Sequence, residues 1–313
     1  MLGWIAIHPN VNTMINDNTC FSAFWKLGLP PIVLTLENLF MKLAALKKIW
    51  FINFLKRVRY ATRYYNFRYG QILRWGFNSR EDTNYTYALT PANMEYLAST
   101  LAVVTGKDRQ AIMGYIREAE QDEALKACIL NSIRNSEHRH FADAEVRFAR
   151  RLGWYALLRA LKPAVVVETG VDKGLGAVLL CAGILRNRAE GFPGKYYGTD
   201  INPEAGYMLT GTYKEAGEIL YGDSIESLKK LSEPIGMFIN DSDHSADYEY
   251  REYRTIEPLL GPNSVVLGDN AHATDKLVRF ATETGRHFLF FKEEPLNHWY
   301  PGAGIGIAFG GNG

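Results

Sequence analysis

The chain has 313 residues, 47% hydrophobic and 22% charged, which suits one large globular domain with an appendage, or two modest ones, and excludes a disordered or fibrous protein. Its three cysteines, Cys20, Cys128 and Cys181, are odd in number and widely separated, so neither a disulfide framework nor a zinc site is expected and a reducing, cytoplasmic setting is the simplest. The net charge of +1 hides a split: residues 1–80 hold 11 Lys and Arg against Asp17 and Glu37, a net of +9, and the remainder is net −8.

Residues 1–31 lack a positive segment followed by an apolar core and a cleavage site, so no secretory signal is expected. Residues 32–55 are apolar, but Glu37, Lys42, Lys47 and Lys48 interrupt the run before it is long enough to span a membrane. A basic, aromatic-rich helix is expected over 39–65, with Trp50, Phe51 and Phe54 beside Lys56, Arg57 and Arg59. Lys42, Lys47 and Lys48 fall all round the helical wheel. That favours packing on the main domain or on a second subunit, as in a homo-oligomer, over contact with a membrane surface and a peripheral location there. No nucleic-acid motif accompanies the charge, so nucleic acid is not an expected partner.

A polar stretch over 78–85 leads to helical sequence, in which Thr90-Pro-Ala reads as an N-cap with proline in the first turn. Helix signals run on through Leu101 and over 108–133. Glu137-His-Arg-His140 reads as a surface turn, and 141–161 as a helix. Beyond it, Val165-Val-Val-Glu-Thr-Gly-Val-Asp-Lys-Gly-Leu-Gly-Ala177 combines a β-branched run with Gly170, Gly174 and Gly176, a strand, a tight bend and a helix start. Strand-like runs then recur at 196–199, 217–221, 237–240, 264–267, 288–291 and 305–309, alternating with helical patterns except between the last two. The fold class is therefore α/β: a Rossmann-like, doubly wound, mainly parallel sheet of seven strands with an antiparallel edge hairpin and a helical N-terminal extension. Three regions follow: a basic arm (1–80), a helical region (81–140) and the α/β domain (141–313).

Ligands of open parallel sheets lie beyond the carboxyl ends of the strands. Here those ends are polar in order: Glu168-Thr169-Gly170, Asp200-Ile201-Asn202, Gly222-Asp223-Ser224, Asn240-Asp241-Ser242-Asp243-His244 and Gly268-Asp269-Asn270. Each acid alone serves equally well as a helix N-cap; five clusters in succession favour a site. A dinucleotide fingerprint needs Gly-x-Gly-x-x-Gly, whereas this chain has Glu-x-Gly-x-x-x-Gly-x-Gly. A carboxylate ahead of the glycines suits a cationic amino group, Asp200 suits ribose hydroxyls and Asp223 an adenine amino group. An adenosine joined to an amino acid fits the set.

With these motifs, residues 141–309 resemble the class I S-adenosylmethionine-dependent methyltransferases. The resemblance implies that Glu168, Thr169, Gly170 and Gly174 form the first cofactor motif, Asp200 and Asn202 the ribose end, and Gly222, Asp223 and Ser224 the adenine loop. Asp241-Ser-Asp-His-Ser245 and Asp269-Asn270 are similar to motifs of metal-dependent O-methyltransferases, particularly the macrocin/mycinamicin sugar O-methyltransferase and cephalosporin hydroxylase-like group. This implies a Mg²⁺ held by Asp241, Asp269 and Asn270, although the sugar enzymes carry acids at both positions of the second pair. It also implies His244 as the base acting on a saccharide or small-molecule hydroxyl. His272, His298, Trp299 and Tyr300 are expected near the acceptor. Two rival readings are an NAD-linked oxidoreductase, against which the glycine spacing argues, and a non-catalytic scaffold that uses the basic arm for membrane or partner binding.

Overall fold

The computed structural model describes residues 49–242 and 245–310. Two compact units result, one ending at Arg68 and one starting at Tyr69. The first holds most of helix α1 (Trp50–Asn78), on which Trp50 to Leu55 are all solvent-exposed. The expected helix over 39–65 lies partly outside the described residues.

In the second unit, helices α2 (Pro91–Thr105), α3 (Arg109–Glu120) and α4 (Glu123–Arg134) come first. The predicted cap is present: the Thr90 side chain accepts from Asn93 N–H, Pro91 opens the helix, and Gly106 closes it with φ 65°. The single helical run expected over 108–133 is two helices. Asp122 starts the second by accepting from Leu125 N–H, so the chain breaks at Gln121-Asp122. Glu137–His140 is a short 3-10 turn, as expected, with the His138 ring stacked on Tyr207.

The helix expected over 141–161 is shorter, α5 (Arg151–Leu161). Asp143 instead accepts from Ser79 Oγ and Arg80 N–H, and Ala149 takes φ 48°, which helical backbone excludes. This irregular approach delivers Arg150 and Arg151 to the first turn of α5.

Strands β1 (Val165–Thr169), β2 (Lys195–Asp200), β3 (Gly217–Tyr221), β4 (Ile235–Asn240), β5 (Leu260–Gly268), β6 (His287–Lys292) and β7 (Gly304–Phe309) form one sheet in the order β3-β2-β1-β4-β5-β7-β6. The first five strands are parallel; β7 pairs antiparallel with both β5 and β6. Helix α6 (Leu175–Ala189) follows β1, α7 (Ser224–Leu228) follows β3, α8 (Ala246–Ile256) precedes β5, and α9 (Lys276–Glu283) follows it. The sheet is the Rossmann-like one that the strand pattern predicts.

Strand alternation separates two cores. Val166, Met237, Ile239, Val265 and Leu267 share a cluster with α2 to α6, while Val165, Val167, Phe238 and Val266 pack with Tyr253 of α8 and Phe280 of α9. Residues 87–133 thus share a core with the sheet. The strand order reverses between β1 and β4, and a crevice opens there at the carboxyl ends.

Candidate active site

The crevice is built by glycines. Gly170 has φ 83°, and a Cβ on it would stand 2.0 Å from the carbonyl oxygen of Asp241. Only glycine lets the β1 turn approach the end of β4 this closely. Gly174 takes φ 93° against the backbone of Gly206, and Gly222 takes φ 127° with open space where a side chain would be. Asp200 organises the neighbouring loops, accepting from Asp172 N–H and Asn202 N–H at 2.8 Å each. Asp223 caps α7 by accepting from Glu226 N–H and also accepts from Tyr248 Oη, and these bonds hold its carboxyl below the usual range. Asn202 accepts from Glu204 N–H.

Glu168 is elsewhere than an open cleft. Period-2 alternation turns it toward α5 and α6, where it is 1% exposed, accepts from Tyr196 Oη at 2.6 Å and lies directly under Gly176. It supports the turn from below. Burial, partly opposed by the Tyr196 bond and the Arg151 charge, pushes its carboxyl up to about 7. The folded state therefore binds this proton more tightly than the unfolded chain, so stability falls as pH rises from about 4.5 to about 7 and is flat above. Glu168→Gln should remove that loss. Relative to the parent, the variant should gain up to about 3 kcal/mol between the two ends of that window in urea melts at stepped pH. A difference independent of pH would show that Glu168 is charged in the fold.

The residue that joins the strand ends is one that the motifs do not mark, Glu252 of α8. It is fully buried and accepts from Thr169 Oγ1 at 3.0 Å, from Ser242 Oγ at 2.7 Å, and from Ser224 Oγ and Asn240 Nδ2. One carboxylate thereby ties together β1, β4 and the start of α7. A signal was available: Glu249, Glu252, Tyr253 and Ile256 share the apolar stripe of α8, and acids in such a stripe need buried donors.

Beside the β1–β4 turn lies a cavity of about 420 Å³ lined by Tyr85, Tyr87, Arg150, Arg151, Asp269 and Tyr300, among others. Arg150 grips Asp269 with a two-pronged fork, using Nε and Nη2, and donates to Tyr87 Oη at 3.0 Å and Glu293 at 3.4 Å. Arg151 lies over the rings of Tyr85 and Trp154, 3.9 Å from Asp241, and its Nε has no hydrogen-bond partner among the described residues. Asp241 and Asp269 hydrogen-bond each other. Burial and the Asp269 charge drive Asp241 well above the carboxylate range; burial acts on Asp269 too, but Arg150 more than offsets it and keeps Asp269 below that range.

This arrangement does not fit the expected Mg²⁺ set. The fork of Arg150 takes both oxygens of Asp269, and a second guanidinium stands near Asp241, so a dication between them would meet two like charges. The Asn270 side chain and His244 lie outside the described residues. Among the described residues no group of three or more His, Cys, Asp and Glu is disposed to hold a metal. Of the expected acceptor residues, His272 and Tyr300 line the cavity. His298 and Trp299 do not; they stack on each other, with Trp299 edge-on to Trp75 and His298 against Tyr87. Tyr85, Tyr87, Arg150 and Arg151 were missed, because nothing in local sequence brings 85–87 to the ends of β1 and β5.

Residues 167–271 match a family model described as a methyltransferase domain. No curated protein matched the chain. Among solved structures, a Podospora anserina methyltransferase bound to SAH is 14% identical, covering 63% of this chain and 93% of its own, with a TM-score of 0.43. The O-methyltransferase TomG of Streptomyces achromogenes, in complex with SAM, is 16% identical over 61% and 91%, with a TM-score of 0.43. A Bacillus cereus O-methyltransferase in complex with SAH is 14% identical over 69% and 98%, with a TM-score of 0.39. At these values the neighbours assign no residue and no substrate to this chain. The stretch that matches the methyltransferase-domain model runs from within β1 to the turn after β5, and so takes in the five parallel strands and the crevice at their carboxyl ends.

Proposed function

We propose that the chain is an S-adenosylmethionine-dependent O-methyltransferase whose acceptor is a hydroxyl of a saccharide or another polar small molecule. The observation that carries the proposal is a continuous line of contacts. Gly170 touches Asp241, Asp241 meets Asp269 and Arg151, and Asp269 and Arg151 line the cavity. The glycine-built turn and the cavity therefore share a wall, as transfer between a bound cofactor and an acceptor requires.

The glycine turns and open space at Gly222 fit a nucleoside cofactor. Asp200 would hold the ribose, and Gly222, Asp223 and Ser224 the adenine, with Thr169, Ser224 and Asn240 kept in place by Glu252. The cofactor supplies an electrophilic methyl group on sulfur. In the cavity the rings of Tyr85, Tyr87 and Tyr300 give an acceptor flat surfaces with hydroxyl groups, and the Arg151 guanidinium stands among the lining residues. His244 is the proposed base, from its place three residues after Asp241 and from the family resemblance. No metal enters this reading, since Arg150 and Arg151 already supply the positive charge facing the two aspartates.

Mass spectrometry of products, after incubation with S-adenosylmethionine and extracts of candidate acceptors, tests the reaction. A product heavier by one methyl group is expected, and NAD binding without methyl transfer would replace the reading with the oxidoreductase. His244→Asn should lower kcat by about 10²- to 10⁴-fold while cofactor affinity is kept. Unchanged turnover would remove His244 from the mechanism. EDTA should leave turnover intact; loss restored by Mg²⁺ would require Arg150 to yield Asp269 to a metal.

A further inference from the structure

Between Trp50 and Phe67, helix α1 carries Lys56, Arg57, Arg59 and Arg63 and no acidic residue. At about 100° per residue, Trp50, Phe51, Phe54, Leu55, Val58 and Ala61 fall on one side of the helix with Arg57 at its margin, and Lys56, Arg59 and Arg63 fall on the other, where Ile52 also lies. Three of the four cations are thus gathered away from the apolar side, unlike the lysines at 42–48. The apolar side is not buried: Trp50 is 70% exposed, Phe51 57%, Leu55 49%, Val58 41% and Phe54 40%, with Trp50 and Phe54 stacked at 5.5 Å. A contiguous exposed apolar face bordered by cations marks an interaction surface.

Charge selects its occupant. A second copy of the same helix would bring the same positive charge. Residues 1–48 hold four lysines against two acids, and so offer no surplus of negative charge. The body from Glu81 onward is acidic, and the exposed large apolar side chains on it, among them Tyr96, Phe141, Phe192, Ile201 and Phe290, come from separate helices, strands and loops. An anionic bilayer surface satisfies both sides of the helix at once. The apolar side sinks to the headgroup boundary, the cations face lipid phosphates, and Trp50 and Tyr60 have the amphipathic rings that settle at that depth. Among the described residues no helix is long and apolar enough to cross a membrane, so the helix would lie in the interface plane.

We propose that helix α1, from Trp50 to Phe67, is an interfacial helix that docks the protein on an anionic lipid surface. Flotation of the full chain with vesicles tests this. Binding is expected to phosphatidylcholine vesicles containing roughly one-third phosphatidylserine, to weaken as salt rises, and to be slight with phosphatidylcholine alone. Combining Lys56→Gln, Arg59→Gln and Arg63→Gln should weaken it by about tenfold or more, whereas Lys56→Arg, Arg59→Lys and Arg63→Lys together should preserve it. Phe51→Ser with Leu55→Ser should abolish it. No flotation with the anionic vesicles, or flotation that survives both loss-of-function sets, would overturn the proposal. So would light scattering that shows a lipid-free oligomer reduced to monomer by Phe51→Ser with Leu55→Ser, which would assign the face to a second copy.

Discussion

Replacing Gly170 by alanine is expected to cost about 3 kcal/mol or more of folding stability and to abolish cofactor binding. Two penalties combine. A φ of 83° is a region an L-residue enters at a cost of about 1–2 kcal/mol. The new Cβ would also stand 2.0 Å from the Asp241 carbonyl oxygen and 2.7 Å from the Ser242 Cα. These atoms are backbone, so no rotamer relieves the overlap, and the ends of β1 and β4 must part. Gly222→Ala separates the two penalties, since Gly222 has φ 127° but no atom near its Cβ position. In folding stability it should lose only the conformational part. Urea melts, together with calorimetric titration of S-adenosylmethionine, provide the check; equal losses at the two positions would mean that the close approach of Gly170 to Asp241 contributes nothing.

Arg150→Met is expected to cost about 3–5 kcal/mol, because it strips the counter-charge from a buried site and leaves the carboxylates behind. Asp269 is 5% exposed and Glu293 1%, and Arg150 donates to both as well as to Tyr87. The pH dependence has a definite sign. Asp269 is held below the usual range in the fold, so its pairing stabilises the protein at neutral pH and that contribution is lost as pH falls. The gap between parent and variant should therefore narrow on acidification. Adding Asp269→Asn to Arg150→Met should recover much of the stability, since the stranded charge is gone, but not the activity if the pair shapes the acceptor cavity. A double variant no more stable than Arg150→Met alone would show that Arg150 acts through packing.

The sheet was largely legible beforehand because each strand is a short, apolar, β-branched or aromatic run bounded by turn residues, and burial on both faces leaves few other ways to place it. Gly217–Tyr221 is where the run was read, and the other strands extend their runs by one to four residues at one or both ends. The polar strand ends were equally plain, since acids and glycines following apolar runs are local signals. Failures came where a local pattern was overruled from a distance. Residues 141–150 have a helical pattern, but Asp143 is captured by Ser79 and Arg80, far away in sequence. For Glu168 the position along the strand is legible but the face is not; alternation relative to α6 turns it beneath Gly176.

The sequence by itself determined the α/β architecture, the glycine turn after the first strand and the order of acids along the crevice, because these depend on periodicity and backbone freedom within a few residues. Tertiary structure alone decided what those acids face. Arg150 and Arg151 reach Asp269 and Asp241 from more than 80 residues away, Glu252 gathers the ends of strands that are separate in the chain, and Tyr85 and Tyr87 supply part of the cavity wall. The charge and hydrogen-bonding of a buried carboxylate are set by neighbours in space, which no local pattern records.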